Sequence, residues 1–258
     1  MKMIRTEKWI DKDPAPLAVC QFLEPYFKGH SAEAICDHLV RHGMYRDPEK
    51  AVSAIVKFEN SNTWRLISNE ANKLKEKWNG HDLPIFILPA DEDNTVLRDK
   101  LKGRSGIAFK DKLLLFITPQ AKKKDLQTLL AHEYHHVIRL NSLDKKENIF
   151  TLLDSIVMEG LAENAVRELY GEKRTAYWTS LYNNKEINRI WKNFIRPNLQ
   201  IPKTEEKHHR LLHGHGKLPE MAGYCCGYVL VKKYMEKHKV ESADLFDISS
   251  NEILDNVH

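Results

Sequence analysis

The segment Ala131-His132-Glu133-Tyr134-His135-His136-Val137 places two histidines four residues apart, with a glutamate directly after the first. Residues four apart share one face of a helix, so His132 and His136 can each present a ring nitrogen to one ion. Zinc accepts imidazole nitrogen at about 2.0–2.1 Å and lowers the pKa of a water it holds to roughly 7. Glu133 projects beside such an ion and can serve as general base for that water. The chain has 13 His and 21 Glu among 258 residues. Random placement at that composition yields roughly 0.05 matches to this spacing, so the motif gains its weight from context. Its context is a helical periodicity without Gly or Pro. His135 stands one position off the pair and reads as a supporting or structural residue.

Two histidines leave a catalytic zinc short, because such sites usually combine three protein ligands with one open position. Downstream lies Met158-Glu159-Gly160-Leu161-Ala162-Glu163-Asn164, with 22 residues between His136 and Glu159. That is room to end one helix, turn near Asn141-Ser142-Leu143-Asp144 and return along another. Glu159 and Glu163 are four apart and share a face, whereas Asp154 falls on a different one. Alone, the two glutamates would be ordinary solvated helix charges. Behind a His-Glu-x-x-His helix, Glu159 is the expected third ligand. Gly160 costs about 1 kcal/mol in a helix relative to Ala, which suggests a close backbone approach near the metal.

These residues need elements to hold them. The apolar spacing predicts a helix over 125–140 for the histidines and another over 151–170, stopping at Gly171, for the glutamates. Before them, Leu83 to Pro89 reads as a strand. Ser105 to Phe109 and Leu113 to Thr118 read as a hairpin around Lys110-Asp111-Lys112. The first 80 residues read as helical. Ser31 caps 32–42, Asp47-Pro48 opens a helix towards Glu59, Asn60-Ser61-Asn62 interrupts, and 63–78 follows. Later helices are expected at 175–182, 185–194 and 219–238, with 197–217 a long loop that could close over a substrate. Helices, a small sheet and then helices indicate an α+β fold. The expected division is an N-terminal helical region, 1–80, and a metallopeptidase domain, 81–258, which could pack as one unit.

Composition sets the outer limits. Hydrophobic residues make up 42% and charged residues 29%, with a net charge of +4, as in a soluble globular protein. The basic residues are scattered, and short runs such as Lys122-Lys123-Lys124 read as solvated turns, so no nucleic-acid partner is expected. The opening residues lack the apolar core of a signal peptide, and no segment approaches a membrane span, so no membrane partner is expected either. Cys20, Cys36, Cys225 and Cys226 show no metal or redox spacing and read as free thiols. Together these features imply a cytoplasmic protein.

The His132-Glu133-x-x-His136 segment followed by Glu159-Gly160-Leu161-Ala162-Glu163 resembles the gluzincins, whose third zinc ligand is a glutamate on the next helix. The resemblance implies that Glu163 orients His132 by a hydrogen bond. The hairpin 106–117, the motif helix, Met158 to Glu163 and Ala222-Gly223-Tyr224-Cys225-Cys226-Gly227-Tyr228 more widely resemble the YjaZ-like family of predicted Zn-dependent proteases. A zincin-like fold is implied, with a peptide or protein substrate lying along the edge strand Ser105–Phe109. A donor for the developing oxyanion is implied as well. Tyr224 is the first candidate, with Tyr228, His213 and His215 the alternatives. The function expected is zinc-dependent peptide hydrolysis. A non-proteolytic stress regulator on the same scaffold, or a zinc hydrolase of a non-peptide amide, are the competing expectations. Nothing in the sequence speaks to the oligomeric state.

Overall fold

In the computed structural model, described for every residue except Asp144, Glu147, Asn148 and His258, two apolar runs form the centre of a four-stranded sheet. Strand β1 spans Lys2–Ile4, β2 Pro84–Pro89, β3 Arg104–Ala108 and β4 Leu113–Ile117, in the order β1-β2-β4-β3. The first three in that order run parallel, and β3 returns antiparallel to β4 with Gly106 opposite Leu115. All five β4 residues are buried, as are all of β2 beyond Pro84. Strands covered on both faces read as continuous apolar runs, which is why no alternation marks them. By contrast, every residue of the edge strand β3 is only partly covered.

The helices are α1 Glu7–Lys12, α2 Pro16–Leu23, α3 Ala32–Arg41, α4 Pro48–Asn60, α5 Thr63–Lys77 and α6 Thr95–Asp99. After the sheet come α7 Lys123–Ser142, α8 Leu152–Tyr170, α9 Asn184–Ile190, α10 Glu206–His213, α11 Ala222–His238 and α12 Ser250–Asp255. The α+β reading therefore holds. The caps act as expected: Ser31 accepts from the Ala34 N–H at 3.4 Å, and Asp47 accepts from Glu49 and Lys50. Asp154 is a capping residue, since its carboxylate accepts the Thr151 N–H at 2.8 Å at the start of α8.

The chain divides into two compact units, Met1–Val137 and Ile138–His258. The division expected at residue 80 fails locally, because β1 lies on one side of it and its sheet partner β2 on the other. Within the second unit the core is built from α8 and α11, with Ile156, Val157, Leu161, Cys225, Cys226 and Val231 among its fully covered residues. Three further expectations change. The loop expected at 197–217 contains α10, whose buried His208, Leu211 and Leu212 give it an apolar side. The helix expected at 175–182 is a short 3-10 turn, Tyr177–Ser180, and α9 ends in a wider π-type turn, Trp191–Ile195. The turn expected near 141–144 follows the end of α7 at Ser142, while Asp144 lies outside the described residues.

Candidate metal centre

The motif helix α7 is oriented by its non-ligand faces. Tyr134 is buried, donates its hydroxyl to the His81 carbonyl at 3.0 Å and stacks near Trp78. His135 is fully buried with its ring edge-on to Trp78 at 5.6 Å, as a structural residue would be. At the start of α7, the Arg104 guanidinium reaches from β3 to Asp125 at 3.0 Å and donates to Thr128 Oγ1 at 3.0 Å. That pair is almost covered from solvent, so it tethers the edge strand to the helix more firmly than an exposed pair would.

Glu133 lies against the same strand. A Cβ added at Gly106 would stand 2.6 Å from Glu133 Cγ, 2.8 Å from Cδ and 2.9 Å from Oε1. Only glycine leaves room for the carboxylate to rest on β3. One turn of α7 brings the Nε2 atoms of His132 and His136 to 3.0 Å from each other. Two imidazole nitrogens that close require a proton or a cation between them, because their lone pairs otherwise repel.

In the second unit, Glu159 is half-buried on α8. The neighbouring Gly160 has a different partner from the one expected. A Cβ there would meet the Gly227 carbonyl oxygen at 2.3 Å, and one at Gly227 would meet the Ile156 carbonyl oxygen at 1.9 Å. The close approach is thus between the backbones of α8 and α11. Glu163 is buried and accepts the Ala176 N–H at 2.5 Å, holding the 3-10 turn to α8.

The expected oxyanion donors separate. Tyr228 is buried and donates to Glu172 at 3.0 Å, which gives it a structural anchor. Tyr224 is half-buried, with its ring 5.2 Å from Trp178 and 5.3 Å from His213. Burial, reinforced by His209, lowers the His213 pKa from 6.5 to about 4, although the Glu159 carboxylate works in the other direction. His213 is therefore a neutral imidazole at pH 7. His215 is exposed and lies nearest His209. The sequence reading missed the Arg104 tether and the need for Gly106, because both depend on a partner distant in the chain.

One ligand atom each from His132, His136 and Glu159 lie within 4.8 Å of one another. Tetrahedral zinc with bonds near 2.0–2.1 Å sets its ligand atoms about 3.3 Å apart. The histidine pair already matches that spacing, and two imidazoles with one carboxylate are a donor set zinc accepts, so the residues fit the metal. No described helix is long and apolar enough to cross a membrane.

Comparison with known proteins agrees with this donor set. Residues 63–255 match the family described as "Predicted Zn-dependent protease (DUF2268)". The chain is 36% identical over 258 residues to "Uncharacterized protein YjaZ" of Bacillus subtilis (strain 168), across 99% of each chain. It is 25% identical over 188 residues to "Uncharacterized protein YjfC" of the same organism, covering 68% of this chain and 61% of that one. No solved structure matches. Carrying the family's match over most of its length and a full-length likeness to one relative, the chain belongs to this YjaZ-like family of predicted Zn-dependent proteases.

Proposed function

We propose that the protein is a zinc-dependent, gluzincin-like metallopeptidase with a zincin-like arrangement of sheet and motif helix. The observation that carries this reading is the convergence of one ligand atom each from His132, His136 and Glu159 within 4.8 Å. When bound there, zinc polarises a carbonyl oxygen and acidifies a water molecule. Glu133, adjacent in sequence to His132 and resting on β3, takes the proton from the attacking water and delivers it to the leaving amine. A substrate strand pairs with the outer edge of β3 by main-chain hydrogen bonds, which tolerates varied side chains. Tyr224 donates its hydroxyl to the developing oxyanion, and the neutral His213 beside it is the second donor. Glu163 holds His132 in orientation. The four cysteines are free thiols, which supports a reducing, cytoplasmic setting.

The test combines metal analysis with hydrolysis of a mixed peptide library. Wild type and Glu133→Gln should both carry zinc, whereas Glu159→Ala should lose it. Glu133→Gln should also lose hydrolysis by about 10²–10⁴-fold, the usual contribution of a positioned base. Wild-type protein without zinc, or a Glu133→Gln variant that cleaves like wild type, would overturn the reading.

A further inference from the structure

A second group of imidazoles stands at the C-terminal end of α10, outside the His132–His136–Glu159 centre. His209 and His213 are four apart and share a helical face, as His132 and His136 do. The chain then turns through Gly214 and brings His215 back to the same place. Backbone bonds fix that turn. Gly214 and His215 both donate to the Arg210 carbonyl, at 2.9 and 3.2 Å, and Met221 donates to the His213 carbonyl at 2.7 Å. The ring centroids are 4.2 Å apart for His209–His213, 5.4 Å for His209–His215 and 6.2 Å for His213–His215.

Those separations can be compared with what one ion needs. An imidazole bonded at about 2.0–2.1 Å has its centroid about 3.2 Å from the metal, so two rings at the tetrahedral angle stand about 5.2 Å apart. The three measured distances bracket that value. The His132–His136 rings, at 4.6 Å, fall in the same range. As placed, the three rings are tilted by 11° to 38° from one another and do not aim at a single point. Convergence takes ring rotation about χ2, with His209 and His215 exposed and His213 half-buried. The terminal torsion of a histidine is broad, which keeps that rotation inexpensive.

We propose that His209, His213 and His215 form a second metal site, for a divalent first-row ion of the zinc class. Imidazole is a preferred donor for such ions. With three neutral ligands and no carboxylate, the site binds more weakly than the one that includes Glu159. It also touches the first centre's surroundings, because His213 packs on Tyr224 and lies within the field of Glu159. An ion held by the triad turns His213 away from Tyr224, so excess metal acts on the same tyrosine that the proposed reaction uses.

The experiment is equilibrium dialysis of chelator-stripped full-length protein against Zn²⁺, with metal counted by elemental analysis. Wild type should bind one equivalent more than the His209→Ala/His215→Ala variant, at an affinity at least tenfold weaker than its first equivalent. Glu159→Ala should lose the other equivalent and keep this one. His42→Ala, which breaks the four-apart His38–His42 pair of α3, should change neither. Unaltered thermal melts show that the variants remain folded, as expected for exposed positions. Equal counts in wild type and the double variant, or loss of the extra equivalent in His42→Ala, would overturn the proposal. The count involves no peptide hydrolysis, so it succeeds or fails apart from the peptidase reading.

Discussion

Two positions decide the chemistry of single residues here. Gly106 leaves the space that Glu133 fills, and a methyl group there would stand 2.6–2.9 Å from three atoms of that side chain. Gly106→Ala should therefore displace the carboxylate, cutting hydrolysis at least tenfold while leaving zinc content unchanged. Activity and metal assays on one preparation would separate the two. His38 offers a pH handle away from the metal residues. Burial first, then His42, Arg41 and His30, lower its pKa from 6.5 to about 4. The unfolded chain thus binds a proton that the folded chain refuses. The stability this represents is complete above about pH 6.5 and is lost as pH falls towards about 4. Urea midpoints should fall between pH 7 and pH 5, and fall less in His38→Gln. At this scale the ligands were legible in the sequence, because the spacing of His132, His136 and Glu159 follows from helix geometry. The reason for Gly106 was not legible, since its partner stands 27 positions away (133 − 106).

Among the elements, the crossing of α8 and α11 sets where Glu159 and Tyr224 stand. Gly160 and Gly227 let the two backbones meet, and Gly227 faces the Ile156 carbonyl at a distance no Cβ can share. Gly227→Ala should destabilise the second unit by about 1–3 kcal/mol or more through overpacking, read from urea denaturation. Zinc affinity should drop with it, because Glu159 moves with α8. The helices with long apolar periodicity and clear caps, α3, α4, α5, α7 and α8, were readable from sequence. Strand β1 was not, because three residues cannot display a period of two. Helix α10 was hidden by its charge: among Glu206-Lys207-His208-His209-Arg210-Leu211-Leu212-His213, only two residues are aliphatic. Its apolar side is completed by His208, whose buried ring lies 3.0 Å from Ser155.

At the scale of the molecule, the motif helix is continuous from Lys123 to Ser142 and runs past the boundary of the two compact units. Its last turns carry Arg139, fully buried, whose guanidinium donates to the carbonyls of Leu245 at 2.6 Å, Phe246 at 3.4 Å and Ile248 at 3.1 Å. Removing that donor leaves buried carbonyls without it, at about 1–3 kcal/mol per group that stays dry. Arg139→Met should lower stability by a few kcal/mol in that sense and open the C-terminal segment first, visible as faster hydrogen exchange over 245–255. No local pattern announces a buried arginine that serves carbonyls over 100 positions away, so the sequence read it only as one more charge on the helix. The edge strand has a further consequence, for colloidal behaviour. On the proposed reading β3 must keep one side open to receive a peptide, and an open strand edge also accepts a second copy of the same protein. Covering it would abolish binding, so protection has to act at a distance. Lys100, Lys102 and Lys110 stand exposed on either side of the strand, and like charges there resist pairing between identical edges while leaving the edge itself open. Salt screens that repulsion over about 10 Å at 0.1 M, which ties the protein's solubility to the same strand that would receive its substrate.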